Sequence, residues 1–572
     1  MIDNDLSQSL TVRGRDSLVS DVLYFLREVL VRMRAADLLI QTLVQAGIGR
    51  VFTLSGNQIM PVFDACIETS VKLIHVRHEA AAVHMADAWG RLTGEPGVAL
   101  VTAGPGFANS LSALYVAFMA ESPLVLISGA SPRHRDGQGA FQEMPQAEIA
   151  GNFTKESWAV TDPSQIGHAL ARAVRLAKSD RPGPIHLAVP GEVFSEMVLQ
   201  PQQALPHQDD FAPSTSRLDA TTAQHVLTTL AEAKKPVILG GTALTHGDGA
   251  GRLEQLGQVL NVPVVAMGSP RGLKDPSLGK FREVLQQADV VLLLARSLNF
   301  SLRFGEEPAF HPDCQFLMID PQMPTIEQAA RNLGGSSRLL VADLADARPA
   351  VERLLQLADP SDCRSDNWRS EFQQAVMYRP DEWQTDVSSQ AGPIHPAELC
   401  LALNRMLATD DEAVFVSDGG EFGQWAQACI TAPHRIINGP SGSIGGGISF
   451  ALSARLAFPN SKVLATVGDG TFGFHAMEFD TAVRYNLPMV VVVGNDACWN
   501  AERQIQLHDY GSERQLGCDL LPSRYDEVAR MLGGCGEFVT QADEMEPALQ
   551  RAFAAGKPTC VNVMIQSIAA PE

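Results

Sequence analysis

The chain has 572 residues, 45% of them hydrophobic, which is ample for about two to four domains with sizeable cores. A formal net charge of −21 argues against nucleic acid and anionic membrane surfaces as partners. Nine cysteines, an odd number without a CxxC pair, argue against a disulfide framework or a zinc site and for a reducing compartment, so a cytoplasmic protein is expected. No apolar run approaches the roughly 18 residues of a membrane span, and the start, with Asp3 and Asp5, does not read as a signal peptide.

Residues 1–32 carry one apolar piece, Val22 to Leu26, in a helical pattern, and are expected to form an N-terminal extension. The regular pattern begins at Met33, which reads as a natural start. From there to about residue 200 helices and strands alternate. Arg34 to Ala46 and Glu79 to Leu92 read as helices; Arg50 to Leu54, Leu73 to Val76, Val98 to Thr102 and Leu124 to Ser128 read as strands. That alternation predicts a parallel α/β sheet with right-handed crossovers. Residues of about 200–219, rich in Pro, Gln, Asp and Ser, read as a linker. A second α/β unit over 220–358 has expected strands Pro236 to Leu239, Val262 to Ala266, Val290 to Leu294 and Phe316 to Ile319. A second polar stretch, about 359–394, leads to a third unit over 395–572. The expected fold is therefore α/β, three doubly wound parallel-sheet domains of similar size, without a short-period repeat.

The third unit holds the stretch around which the chain is organised. A buried-strand pattern, Lys462 to Val467, enters Gly468-Asp469-Gly470-Thr471. A helical pattern follows from Phe472 to Tyr485, and a second strand, Met489 to Val493, leads to Asn495-Asp496-Ala497-Cys498-Trp499. Both strand ends lie on the carboxyl edge of a parallel sheet, where ligands bind. Asp469 and Asp496 can converge there as hard oxygen ligands for Mg²⁺ or Ca²⁺ carrying a diphosphate. Taken singly, each Asp also suits a helix cap.

Four further stretches carry chemistry. Glu79, at a strand-to-helix turn after Arg77-His78, suits a helix start, or a carboxylate that bonds a heterocyclic ring nitrogen. Ala103-Gly104-Pro105-Gly106 lets backbone approach a ligand or another subunit, or simply makes a tight turn. Gln142, in Phe141-Gln142-Glu143, can donate and accept toward a substrate, or begin an amphipathic helix. Gly439 to Gly447 holds five glycines in nine residues around Ile444, which suggests backbone pressed against a flat ligand with Ile444 as an apolar wedge.

Together these motifs resemble the thiamine-diphosphate-dependent enzymes of the acetolactate synthase-like superfamily, over nearly everything from Met33 to Ile568. The nearest-looking branches are benzaldehyde lyase, 2-hydroxyacyl-CoA lyase, oxalyl-CoA decarboxylase and the acetolactate synthases. The resemblance implies a pyrimidine-binding domain over 33–200, a central domain over 220–358 and a diphosphate-binding domain over 395–572. Glu79 matches the glutamate that bonds the aminopyrimidine and drives deprotonation of thiazolium C2. Ile444 matches the residue that bends the cofactor, and Gly442 would accept from its amino group. Gly420, Glu421 and Phe422 would lie at the diphosphate, beside Gly468 to Thr471. Asp469, Asp496 and the Cys498 carbonyl match the Mg²⁺ ligands, although the family usually has Asn where Asp496 stands. Gln58 falls where benzaldehyde lyase has a catalytic His, and Gln142 matches the family's active-site Gln. Asn57, Trp499 and Ala501 would line the substrate pocket.

The implied activity makes or breaks a carbon–carbon bond next to a carbonyl, on 2-oxo acids or 2-hydroxyacyl compounds. Leu298 to Gly305 looks like a run in the acyl-CoA branch and favours an acyl-CoA or nucleotide-like group near the central domain. Ending at Glu572, without a long C-terminal lid, weighs against that branch. Gln504-Ile505-Gln506 replaces the Gln-Trp-Gln of acetolactate synthases and weakens that alternative. A catalytically weak cofactor-binding homologue is a further alternative, motivated by Asp496 and Gln58. A plain nicotinamide or flavin dehydrogenase is disfavoured, because Gly240-Gly241-Thr242 is not a GxGxxG turn; FAD or an ADP- or CoA-like nucleotide bound there without redox work stays open. Because Glu79 and Asp469 lie in different domains, the resemblance implies a homodimer or homotetramer with the site at the subunit interface.

Overall fold

The computed structural model describes residues 32–335, 337–359, 367–383 and 392–571. The expected extension up to residue 31, with its Val22 to Leu26 helix, lies outside the described residues, as do 360–366 and 384–391 of the second polar stretch.

Three parallel sheets carry the chain. The first runs Lys72–His75, Arg50–Thr53, Gly97–Val101, Leu124–Ala130, Pro184–Pro190, Glu156–Ala159 across its width. The third runs His434–Ile437, Val414–Asp418, Val463–Gly468, Val490–Asn495, Thr559–Met564, Cys535–Val539. Both follow one order: second, first, third, fourth, sixth, fifth in the chain. The middle sheet has five strands: Val264–Ala266, Pro236–Gly240, Val290–Leu294, Gln315–Asp320 and Leu339–Leu344. Strands such as Val490–Asn495 are buried throughout, as continuous apolar runs covered on both faces should be. In each sheet the order reverses beside its first strand, so the crevice for a ligand opens at that strand's carboxyl end.

Elements with a plain apolar run fall where the sequence places them; others do not stand out. Pro184–Pro190 carries a proline at each end and buries His186, whose two ring nitrogens lie 2.8 Å from Ser128 Oγ and Ser157 Oγ. The helical pattern from Phe472 to Tyr485 is two helices, Asp469–His475 and Glu478–Arg484. Just past the break, the buried Glu478 carboxylate accepts from Arg77 N at 2.9 Å and from Thr481 Oγ1 at 2.5 Å. The stretch after residue 200 is packed rather than free: it forms short helices Pro201–Ala204 and Gln208–Phe211, and Phe211 enters the first unit's core. Arg32–Arg34 pairs antiparallel with Met197–Leu199 and closes that unit. No helix among the described residues is long and apolar enough to cross a membrane.

The first and third units share one core. Helix Glu79–Thr93 packs on helix Gly447–Ala457 through small residues, Ala81, Ala82, Met85 and Ala88 on one side, Ala451, Ser453 and Ala454 on the other. Both helices are buried almost all round, as their mixed, weakly amphipathic composition allows. Ser453 Oγ donates to Met85 O at 2.7 Å across the contact. Arg91 is held by Asp87, with Nε to Oδ1 at 2.7 Å, and its Nη1 donates to Ile437 O at 2.7 Å in the third sheet. Removing one partner of a buried ion pair strands the other charge, at about 3–5 kcal/mol. Arg91→Ala should therefore lower the unfolding free energy by about that amount in a denaturant titration; a loss below about 1 kcal/mol would show that the pair does not hold the two units together.

Candidate functional site

One cavity sits at the carboxyl edge of the third sheet, at its point of reversal. Gly420, Glu421 and Phe422 line it from helix Gly420–Cys429, which follows the first strand of that sheet. Gly468, Asp469, Gly470 and Thr471 line it from the next strand end, and Asp496, Cys498, Trp499 and Ala501 from the one after. Ile444 reaches it from the glycine loop. Helices Asp469–His475 and Asn500–Tyr510 also begin here, so helix N-termini gather at one place, which suits an anion such as a diphosphate. The glycines are there for space. A Cβ on Gly470 would lie 2.6 Å from the Trp499 ring, and one on Gly494 2.3 Å from the Phe422 ring.

The two carboxylates expected for a cation both face this cavity. Asp469 Oδ1 accepts from Gly470 N at 2.9 Å, and Oδ2 from Cys498 N at 3.2 Å, which draws the two strand ends together. Burial pushes Asp469 up to about 6. Burial, then the charge of Asp469, pushes Asp496 up to about 7. A buried acid whose charge raises its neighbour fits a site whose negative charge a cation would balance. Among the described residues no group of three or more His, Cys, Asp or Glu side chains gathers for a metal.

Asp418 was not singled out from the sequence. It ends the first strand of the third sheet, fully buried, and accepts from Gly445 N at 3.0 Å and from Gly447 N at 2.7 Å. A Cβ on Gly447 would stand 2.6 Å from Asp418 Cβ, so only glycine lets the loop come this close. Gly445, at φ 97°, turns the chain just beyond Ile444, and Ile444 packs on Gly419 and hence over the cavity mouth. The carboxylate thus pins the wedge; a buried Asp after a strand, 27 residues before a glycine run, was the available signal. Gly442 lies in the same loop at φ 68° with open space beside it and is not part of the cavity wall.

The remaining expected residues lie on the carboxyl edge of the first sheet. Glu79 opens helix Glu79–Thr93, buried to 8% exposure, and its Oε2 accepts from Asn109 Nδ2 at 3.0 Å. His78 caps that helix, Nδ1 accepting from Ala80 N at 3.1 Å, and its ring packs edge-on to His475. Gln58 lies in the turn Asn57–Ile59, and its Nε2 donates to Gln142 Oε1 at 2.8 Å; Asn57 beside it is exposed. Gln142 is not at a helix start: it sits at φ 62° in a turn, and the helix begins at Gln146. Within one chain none of these first-sheet residues lines the cavity that holds Asp469. The two groups are separate surfaces of the same subunit.

At the middle sheet the corresponding edge is bridged. Arg181, from the first unit, lies 2.5 Å from Asp320 Oδ2 and 2.5 Å from Glu121 Oε1, and Glu121 Oε2 accepts from Ala243 N at 3.1 Å. A Cβ on Gly241 would meet Ala295 O at 1.9 Å, so the strand ends there are closed on each other.

Removing the Asp418 carboxylate leaves two buried N–H groups without partners, at about 1–3 kcal/mol each. Asp418→Ala should therefore weaken binding of thiamine diphosphate with Mg²⁺ at least about tenfold by calorimetry; unchanged affinity would show that the glycine loop holds Ile444 without it.

Comparison with known proteins agrees with this layout. Residues 33–149 match the family described as thiamine pyrophosphate enzyme, N-terminal TPP binding domain, and 418–563 match thiamine pyrophosphate enzyme, C-terminal TPP binding domain. The acetolactate synthase large subunit IlvG of Mycobacterium tuberculosis is 32% identical over 550 residues, 94% of this chain and 97% of that protein. The 2-hydroxyacyl-CoA lyase 1 of Mus musculus is 28% identical over 559 residues, 94% of each chain. The 2-hydroxyacyl-CoA lyase of Arabidopsis thaliana is 26% identical over 556 residues, 94% of this chain and 96% of that protein. With both cofactor-binding domains present in order and relatives matched end to end, this chain belongs to the acetolactate synthase-like superfamily of thiamine-diphosphate-dependent enzymes.

Proposed function

We propose that the protein is a Mg²⁺-dependent carbon–carbon lyase or carboligase acting on 2-oxo acids or 2-hydroxyacyl compounds. The cavity with Asp469 and Asp496 at the junction of three helix N-termini carries this reading. Bound there, thiamine diphosphate supplies an electron sink beside a carbonyl; the protein supplies orientation and a dry pocket. Asp469, Asp496 and the Cys498 carbonyl would hold the metal, and Gly420, Gly470 and Thr471 would face the diphosphate. Ile444 would pack against the cofactor, Gly442 would accept from its amino group, and Glu79 would hold a proton at its ring nitrogen. Gln58 and Gln142 orient the substrate, with Asn57, Trp499 and Ala501 shaping its pocket.

Since Glu79 and the cavity are apart within one chain, the complete site is proposed to form between two subunits of a homo-oligomer. The exposed large apolar side chains Phe141 and Phe474, 73% and 54% accessible, support a covering partner. Pyruvate decarboxylation with ligation remains the second reading, supported by the acetolactate synthase relative; Ile505, where a Trp would be expected, is 57% exposed. Turnover of pyruvate, benzoylformate and a 2-hydroxyacyl-CoA by the cofactor-loaded protein separates the readings, and inactivity on all three would contradict both.

A carboxylic acid must lose its proton before it ligates Mg²⁺. With Asp496 pushed up to about 7, metal-dependent cofactor affinity should rise with pH through that region and level off above it. Asp496→Asn should bind Mg²⁺ as well or better, with most of the pH dependence between about 6 and 8 gone. Complete loss of Mg²⁺-dependent binding in that variant would show that the acid itself is required.

A further inference from the structure

Three side chains at the carboxyl edge of the first sheet form one hydrogen-bonded row. Thr102 Oγ1 donates to Gln58 Oε1 over 2.6 Å, and Gln58 Nε2 donates to Gln142 Oε1 over 2.8 Å. Gln58 follows strand Arg50–Thr53, Thr102 follows its neighbour Gly97–Val101, and Gln142 lies in the loop after the next strand, Leu124–Ala130. The first two strands flank the point where the sheet order reverses, which is the ligand crevice of such a sheet.

The row is confined. A Cβ on Gly56 would stand 2.3 Å from Thr102 Cβ, and one on Gly106 2.6 Å from Thr102 Cγ2. Gly129 would meet Gln58 Cβ at 2.7 Å, and Gly191 at 3.1 Å. Gly104, at φ 59°, would meet Gln142 Cβ at 2.8 Å. Five glycines from four segments thus make room for three polar side chains. Gln142 itself is held at φ 62°, a left-handed conformation that persists only where the surroundings determine it.

An amide has distinct ends, so the row has a direction. The Gln58 carbonyl takes the Thr102 hydroxyl proton, and the Gln58 amino end meets Gln142. The Gln142 carbonyl is then used, and its Nε2 has no protein partner among the described residues. We propose that Thr102 is a positioning residue: its hydroxyl anchors the carbonyl end of Gln58, and Gln58, by donating to the Gln142 carbonyl, leaves Gln142 to offer N–H donors to a carbonyl or carboxylate oxygen of the substrate. The reversed row would present a carbonyl oxygen and repel that acceptor. This inference rests on the reading of the site as one for 2-oxo acids.

Thr102→Val keeps the shape and removes the hydroxyl, whereas Thr102→Ser keeps the hydroxyl. Gln58→Glu should reverse the row, since a carboxylate only accepts and would take the Gln142 amino group. The experiment uses the protein loaded with thiamine diphosphate and Mg²⁺. It titrates methyl acetylphosphonate, a charged mimic of pyruvate, by calorimetry, and measures KM and kcat for benzoylformate. Thr102→Val and Gln58→Glu should weaken phosphonate binding and raise KM at least about tenfold, with cofactor affinity unchanged, while Thr102→Ser stays within about threefold of wild type. A Thr102→Val protein indistinguishable from wild type would overturn the inference, as would equal losses in Thr102→Val and Thr102→Ser, or a wild type that binds no phosphonate. A wild type that turns over no 2-oxo acid, yet binds the phosphonate in a hydroxyl-dependent way, would contradict the proposed activity and uphold the role of Thr102.

Discussion

The close contact between helices Glu79–Thr93 and Gly447–Ala457 is the constraint on which the layout depends. Alanine and serine at the contact let the two backbones approach, and the Asp87–Arg91 pair reaches across to Ile437 O to fix their relation. Each helix also begins with a residue of the site: Glu79 opens the first, and Gly447, gripped by Asp418, opens the second. One packing contact therefore sets both the carboxylate that would exchange a proton and the loop that carries Ile444. Larger side chains in this contact would push the sheets apart and displace both.

The same contact bears on the proposal that the site forms between two subunits. With these helices packed inside the subunit, the edge bearing Glu79, Gln58 and Gln142 is not among the walls of the cavity bearing Asp469 and Asp496. The acid pair is the costliest element there. Burial raises both carboxyls and the charge of Asp469 raises Asp496 further, which is unfavourable without a cation and suitable with one. The first-sheet edge, by contrast, offers neutral amides around one carboxylate, so it recognises by hydrogen-bond direction rather than by charge.

Much of this was legible in the sequence, for physical reasons. Strands buried on both faces read as apolar runs, and Asp469 and Asp496 stood out as a pair because two such strand ends share one edge of a parallel sheet. Family membership followed from several motifs in fixed order. The strands that bury polar groups, such as Pro184–Pro190 with His186, did not announce themselves. Asp418 ends an apolar run as Asp469 does, but its partners are backbone N–H groups of a distant loop, so its role shows only in the folded chain. Ala103-Gly104-Pro105-Gly106 read as a weak turn motif, although Gly104 and Gly106 make the space for Gln142 and Thr102; such a contact exists only once the sheet is assembled.

The central claim is that Glu79 and the Asp469 cavity, brought together between subunits, activate thiamine diphosphate. Hydrogen–deuterium exchange at C2 of the bound cofactor tests it most directly, with Mg²⁺ present, in wild type and in Glu79→Gln. The account expects fast exchange in wild type and a reduction of about a hundredfold or more in the variant, the scale of losing a positioned proton-transfer group. Exchange at the wild-type rate in Glu79→Gln, with cofactor demonstrably bound, would contradict it.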